Sequence, residues 1–345
     1  MSGPRILVIR RRYLGDIVLL GSVLRNLHLH WPDAHVTVLT EPAYAGVLPL
    51  NPDVNGALTF PRGLSGWFTF LRRIRRARFT HVLDFDNTDK TALVTRLTGA
   101  PVRATYDREL IPFRHRGWYT HRATVTNAFY DSHHITDTYL ALAASIGVPA
   151  ASREVRLVPH PEDITTARRF IYPGGRKVLI HPGSRSEHRI WPAERFAAVA
   201  DRIQNETDAQ VFITAGPREQ RHIQEIRGIA NSHLVIADPP RTVGGLAALL
   251  AQFDVFLCHD SGPMHIAAAV GTPVVALFGS QNATIWRPLG DRHAILQTPL
   301  PCACIGAEAP TPCVRGDSYR SYCVRMLDTD QVFEAVAATL RSKED

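Results

Sequence analysis

Residues 253–279, FDVFLCHDSGPMHIAAAVGTPVVALFG, read as strand, tight loop, short helix and strand. Phe253 to Cys258 is an apolar run of strand length, and Pro273 to Phe278 is a second one rich in β-branched residues. Between them, Asp260-Ser261-Gly262-Pro263 favours a helix start at Gly262 or Pro263, because proline lacks the N–H that a first helical turn leaves unbonded anyway. With Ser261 or Asp260 as cap, the bare N–H groups of that turn make an anion site. A strand that carries such a turn to the carboxyl edge of a parallel sheet carries it to where α/β proteins bind ligands. His265 falls in the same turn, beside the anion position. A plainer reading makes Asp260 and Ser261 helix caps and nothing more.

Outward from this stretch the pattern repeats. Lys177 to Ile180, Gln210 to Thr214 and His233 to Ile236 read as further strands, separated by helices from about Ala193, Pro217 and Val243. Earlier in the chain, Arg5 to Arg10 (RILVIR), Val36 to Leu39 and Thr80 to Phe85 are strand runs. Ile17, Leu20, Leu24 and Leu27 share a helical face between Asp16 and Leu27. Strands alternating with helices predict parallel sheets covered on both faces. Periodicity lapses from Gly147 to Pro161, where prolines gather, so two domains are expected: 1–155 and 156–328, followed by an amphipathic helix in 329–345 that is expected to cross back to the first. The length agrees, since 345 residues at roughly 150 per domain make two cores.

Hydrophobic content of 45% and charged content of 21% belong to an ordinary globular chain. No apolar run approaches the roughly 18 residues of a membrane span, and no signal peptide is legible, so a cytoplasmic protein is expected. The net charge of +7 favours anionic partners but comes with no nucleic-acid recognition motif. From Gly63 to Phe79, GLSGWFTFLRRIRRARF predicts a helix with an apolar stripe and a basic face; anionic lipid or an acidic acceptor is the sharper reading of that face. A second basic, aromatic run is Arg114 to Tyr119. Asp131, His133, His134 and Asp137 are read as capping and surface groups rather than metal ligands. Cys302, Cys304, Cys313 and Cys323 do not follow a standard zinc spacing.

Three loops of the second half leave strands on one sheet edge: His181 to Pro192 (HPGSRSEHRIWP), Ala215 to Glu219 (AGPRE) and the Asp260 turn. Small residues admit backbone to a ligand, arginines add charge, and the Glu219 carboxylate can accept from ribose hydroxyls. Together they describe a nucleotide site without a Walker lysine or a G-x-G-x-x-G fingerprint, which disfavours ATPases and dinucleotide enzymes.

These loops, with RILVIRRRYLGDIVLLGSVLRNL at the front of the chain, resemble glycosyltransferase family 9, the ADP-heptose:lipopolysaccharide heptosyltransferases. The resemblance runs through nearly the whole chain in order, and D-[ST]-G-x-x-H with the following G-T-P and F-G is its most specific part. It implies an α/β GT-B fold, with two Rossmann-like doubly wound domains facing a central cleft, acceptor on the first and donor nucleotide on the second. It also implies inverting transfer from an ADP-sugar to a lipid-linked lipopolysaccharide core acceptor, with no cofactor and no metal.

By matched position, Asp16 falls on the family's general base, and Ser184 and Arg185 on its phosphate loop. Glu219 falls on the ribose contact, and Asp260, Ser261, Gly262 and His265 on the diphosphate and donor-sugar element. Arg189 stands where the family often has lysine; its guanidinium can neutralise a departing diphosphate, with fork rather than point-charge geometry. A nucleotide-sugar 2-epimerase and a non-turnover sugar-binding protein are the alternatives on the same architecture.

Overall fold

The computed structural model describes residues 3–109, 115–169, 171, 174–184, 189–216, 219–237, 242–279, 281–297 and 324–342. Arg185 and the cysteines at 302, 304, 313 and 323 lie outside the described residues. The chain divides into two compact units, Met1–Val158 and Pro159–Asp345. The boundary sits three residues beyond the expected one, because Val158 N–H still donates to Leu50 of the first unit (2.7 Å).

In the first unit the strands are β1 (Arg5–Ile9), β2 (His35–Thr40), β3 (Gly56–Thr59), β4 (His81–Asp84), β5 (Val102–Arg108) and β6 (His121–Val125). The helices are α1 (Leu14–Leu19), α2 (Gly21–His30), α3 (Gly63–Arg76), α4 (Asp89–Thr98), α5 (Asn127–Ser132) and α6 (Ile135–Ala144). All strand pairs are parallel, in the order β3-β2-β1-β4-β5-β6. The single predicted helix over 16–27 is two helices that meet at Leu20, and the first starts at Leu14, so Asp16 is its third residue.

One core layer joins Leu7, Ile9, Leu39 and Val82 of the sheet to Phe70 and Ile74 of α3 and Val94 of α4. Full burial of a side chain such as Ile74 contributes about 1.5–3 kcal/mol. Buried Asn26 fastens the segment leaving α6: its Oδ1 accepts from Ala151 and Ser152 N–H, and its Nδ2 donates to the Ser152 and Ser22 carbonyls. His134 is the predicted cap, with Nδ1 accepting from Thr136 N–H (3.2 Å), and Asp137 pairs with Arg153 (2.5 Å).

The second unit carries β7 (Arg176–His181), β8 (Ala209–Ile213), β9 (Val235–Ile236), β10 (Val255–His259), β11 (Val274–Leu277) and β12 (Ala294–Leu296). Its helices are α7 (Pro161–Arg168), α8 (Ala193–Glu206), α9 (Gln220–Ile229), α10 (Val243–Leu250), α11 (Gly262–Ala269), α12 (Ala283–Trp286) and α13 (Thr329–Arg341). The sheet is again parallel, ordered β12-β11-β10-β7-β8-β9. Counted from its own first strand this is the order of the first unit, the doubly wound 3-2-1-4-5-6.

The last helix, α13, packs within the second unit. Its apolar face (Val332, Phe333, Val336, Ala337, Leu340) enters the core of the second unit with Phe196, Val199 and Ile203 of α8, so that face is used within its own half. Among the described residues no helix is long and apolar enough to cross a membrane.

Candidate functional site

A doubly wound sheet opens a crevice where neighbouring strands send their helices to opposite faces, here between β1 and β4 and between β7 and β10. Of the segments the sequence singles out, Asp16 follows β1, the 181–192 loop follows β7 and the Asp260 turn follows β10, while Glu219 follows β8 and the residues after β4 carry no such signal.

In the second unit, β10 ends at His259, and α11 starts at Gly262 with Pro263 in its first turn. Ser261 occupies the cap position in extended backbone, but its side chain makes no capping bond, and its Oγ is buried with no partner among the described residues. The plain capping role is therefore unfilled for Ser261. Asp260 Oδ2 lies 3.3 Å from Arg189 Nη1, which holds the guanidinium at the crevice, and Arg189 Nε is also buried and unpartnered. His265 is buried in the first turns of α11.

His259 ties two of the loops together. Trp191 N–H donates to its Nε2 (2.8 Å), so that nitrogen must be bare, and the proton sits on Nδ1, which faces the Gly183 carbonyl (3.3 Å). Burial lowers its pKa to about 3, consistent with a neutral ring acting as a structural clamp. Trp191 is wholly buried, its indole N–H donating to the Leu327 carbonyl (3.1 Å), so the far end of the 181–192 loop is anchored in the core.

The near end of that loop meets β8. Glu219 Oε2 lies 3.4 Å from His181 Nε2 and accepts from Gly216 N–H (2.9 Å), and the hydrogen bond from His181 lowers the carboxyl pKa. A Cβ added at Gly183 would stand 2.2 Å from the Glu219 carboxyl carbon, so a larger residue there would push that carboxylate aside. Ser184 follows, half-buried. Ser184, Arg189, Glu219, Asp260 and Ser261 on three loops, and Gly262 and His265 at the start of α11, are thus at one sheet edge; Arg185 falls outside the described residues.

The first unit builds a different cluster between β1 and β4. Asp16 is nearly buried and accepts three hydrogen bonds: Arg10 Nη2 and Tyr139 Oη (2.9 Å) on Oδ1, and Tyr13 N–H (3.0 Å) on Oδ2. The last bond is half of a capping box, so the capping role of Asp16 is real. It uses one lone pair of Oδ2, and a second lone pair remains.

Arg10 also reaches Asp86 (3.2 Å) and the Phe85 carbonyl (3.0 Å). Burial opposes the Arg10 charge, but the Asp16 and Asp86 carboxylates more than offset it and hold the guanidinium protonated. Burial, reinforced by Asp84 and opposed by Arg10, pushes the Asp86 carboxyl up to about 6. Asp84 is fully buried, accepting from Tyr119 Oη (2.6 Å) and the N–H groups of Asp86 and Asn87.

The sequence profile of glycosyltransferase family 9 (heptosyltransferase) matches residues 67–314. The chain belongs to that family. This glycosyltransferase is 25% identical over 291 residues to lipopolysaccharide heptosyltransferase 3 of Escherichia coli, covering 80% of its own length and 84% of the relative. Among solved structures, the family 9 glycosyl transferase of Veillonella parvula superposes with a TM-score of 0.84 at 21% identity, covering 98% of each chain. The E. coli ADP-heptose lipopolysaccharide heptosyltransferase II superposes at 0.79 and 20% identity, covering 99% of this chain and 100% of that one. These likenesses establish the GT-B class for the glycosyltransferase.

Several site residues escape a reading of the sequence. His181 and His259 end buried strand runs, where a polar residue at the carboxyl edge is the only available signal. Tyr139 reaches Asp16 across 123 positions and leaves no local trace.

The His259 clamp has a consequence for stability. The ring is neutral in the folded state and ordinary, near 6.5, when unfolded, so the unfolded chain binds the extra proton between those values. Stability is fully present above about 6.5 and declines as the pH falls toward about 3. Thermal unfolding followed by circular dichroism should show this acid slope, and His259→Gln should flatten it while lowering the melting temperature at pH 7. An unchanged slope in the variant would remove His259 as its origin.

Proposed function

We propose that the protein is an inverting glycosyltransferase that moves heptose, or a related sugar, from an ADP-sugar to a lipid-linked lipopolysaccharide core acceptor. In this reading it works at the inner face of the cytoplasmic membrane. The observation that carries the proposal is the switch-point crevice of the second unit, where a guanidinium nitrogen of Arg189 and the Ser261 hydroxyl are buried without partners among the described residues beside the start of α11. Buried polar groups left open at a helix N-terminus suit a ligand with several anionic oxygens, such as a diphosphate. The names of the relatives, lipopolysaccharide heptosyltransferases and an ADP-heptose enzyme, support the choice of sugar and base.

The labour divides between the units. Ser184, Arg185, Asp260, Ser261, Gly262 and His265 bind the diphosphate and donor sugar, and Glu219 takes the ribose. In the first unit Asp16, oriented by Arg10, Tyr139 and the Tyr13 N–H, takes the acceptor proton on Oδ2. An acceptor hydroxyl, far too weak an acid to ionise at neutral pH, loses that proton as its oxygen bonds to the anomeric carbon. The bond from that carbon to the diphosphate oxygen breaks at the same time. The departing electron pair stays on the diphosphate, where Arg189 and the helix turn stabilise it. One displacement inverts the anomeric centre, and the acid–base work needs no metal in this reading.

Titrating the protein with ADP, UDP and GDP by calorimetry tests the donor site. Tightest binding of ADP, weakened by Asp260→Ala, is expected. Preference for UDP would favour epimerase-like chemistry, and transfer that retains the anomeric configuration, read by NMR of the product, would overturn the single displacement.

A further inference from the structure

Helix α3 buries Phe70 and Ile74 against the sheet, yet its apolar surface does not end there. Leu64 and Phe68, one turn apart, are 90% and 65% exposed, and the Arg72 guanidinium one turn further lies 5.7 Å from the Phe68 ring centroid. Helical geometry sets these three positions in a row along the helix, with Arg76 continuing it. The surrounding sequence has a single sign of charge: from Val54 to Leu83 there is no Asp or Glu, and Arg62, Arg72, Arg73, Arg75, Arg76 and Arg78 are present. All six are exposed, and Arg75 also donates to the Leu97 carbonyl (3.2 Å) at the end of α4.

We infer that this face of α3 rests on an anionic lipid bilayer, with Leu64 and Phe68 entering the headgroup–acyl boundary and Arg62, Arg72 and Arg76 meeting lipid phosphates. Isolated exposed apolar residues need no explanation, but a leucine and an aromatic ring aligned on a helix and ringed by arginines have the make-up of an interfacial helix. The Arg72 guanidinium over the Phe68 ring would keep its charge at the height of the headgroups beside the inserted ring. A second protein is the poorer fit. A stable protein interface needs about 800 Å² from each partner, well beyond what one Leu and one Phe provide. The inference rests on the charge and exposure of α3 alone and stands or falls independently of the sugar that is transferred.

The test is sedimentation of the full chain with sucrose-loaded vesicles of phosphatidylcholine, with and without 30% phosphatidylglycerol, at low and at high salt. Binding to the anionic vesicles only, and its loss at high salt, is expected. Arg72→Gln with Arg76→Gln should weaken that binding about 25-fold, at about fivefold per arginine near an anionic surface. Leu64→Ser with Phe68→Ser should weaken it about 10-fold or more, with unchanged circular dichroism. Equal binding to neutral vesicles, no binding at all, or full binding by either double variant would overturn the inference. So would a concentration-dependent dimer in sedimentation velocity that Phe68→Ser abolishes, since that outcome gives the face to a second copy of the chain.

Discussion

Asp16→Asn is expected to lower turnover by about a thousandfold and to leave nucleotide affinity unchanged, within the 10²–10⁴ range of a lost general base. The change is nearly isosteric. The amide oxygen can still accept from Tyr13 N–H and keep the first turn of α1 in place, and Arg10 keeps Asp86 and the Phe85 carbonyl. What disappears is a site able to accept a proton. The groups proposed to bind the nucleotide belong to the other unit, so affinity for ADP measured by calorimetry should not move. A thermal melt of the variant distinguishes lost chemistry from lost structure, because a negative charge beside buried Arg10 has been removed. Turnover within tenfold of the parent would take the proton-accepting role from Asp16 and leave it the capping bond alone.

Arg189→Gln is expected to reduce kcat by about 10²–10³, the loss typical of one preorganised group that meets developing charge. The argument turns on when the charge appears. A diphosphate in the bound donor is already anionic, but the breaking glycosidic bond adds further negative charge at the leaving oxygen, so kcat should fall more than the donor KM rises. Asp260 holds the guanidinium through Nη1 and leaves Nε for the ligand, and Gln cannot supply both. Arg189→Lys should fall between parent and Gln, keeping charge without the fork. A variant whose KM alone changes would make Arg189 a ground-state anchor.

Much of this was legible in the residues. The run from Phe253 to Phe278 specified strand, turn, helix and strand because apolar runs of strand length bracket a proline-marked helix start, and the helix does begin at Gly262. Strands β3, β5, β6 and β12 are not legible in the sequence: Gly56–Thr59 and Ala294–Leu296 are short, and Val102–Arg108 and His121–Val125 are rich in arginine and polar residues that sheet pairing tolerates near an edge. For the last helix, amphipathicity reports that a face is covered and not which surface covers it; that face joins the core of the second unit. In the site, charged and small residues in loops could be read locally. The groups that hold them in place, His259 for the two ends of the 181–192 loop and Tyr139 for Asp16, act across long sequence separations and needed coordinates.

The direct trial of the heptosyl-transfer reading is to give the pure protein radiolabelled ADP-heptose together with lipopolysaccharide from a strain whose core lacks heptose beyond the step tested. Label should move into the lipopolysaccharide at a rate proportional to enzyme, with one ADP released per sugar, and the Asp16→Asn protein should leave it in the nucleotide. Release of ADP with no label in any lipopolysaccharide acceptor, or appearance of an epimerised nucleotide sugar in its place, would contradict the account.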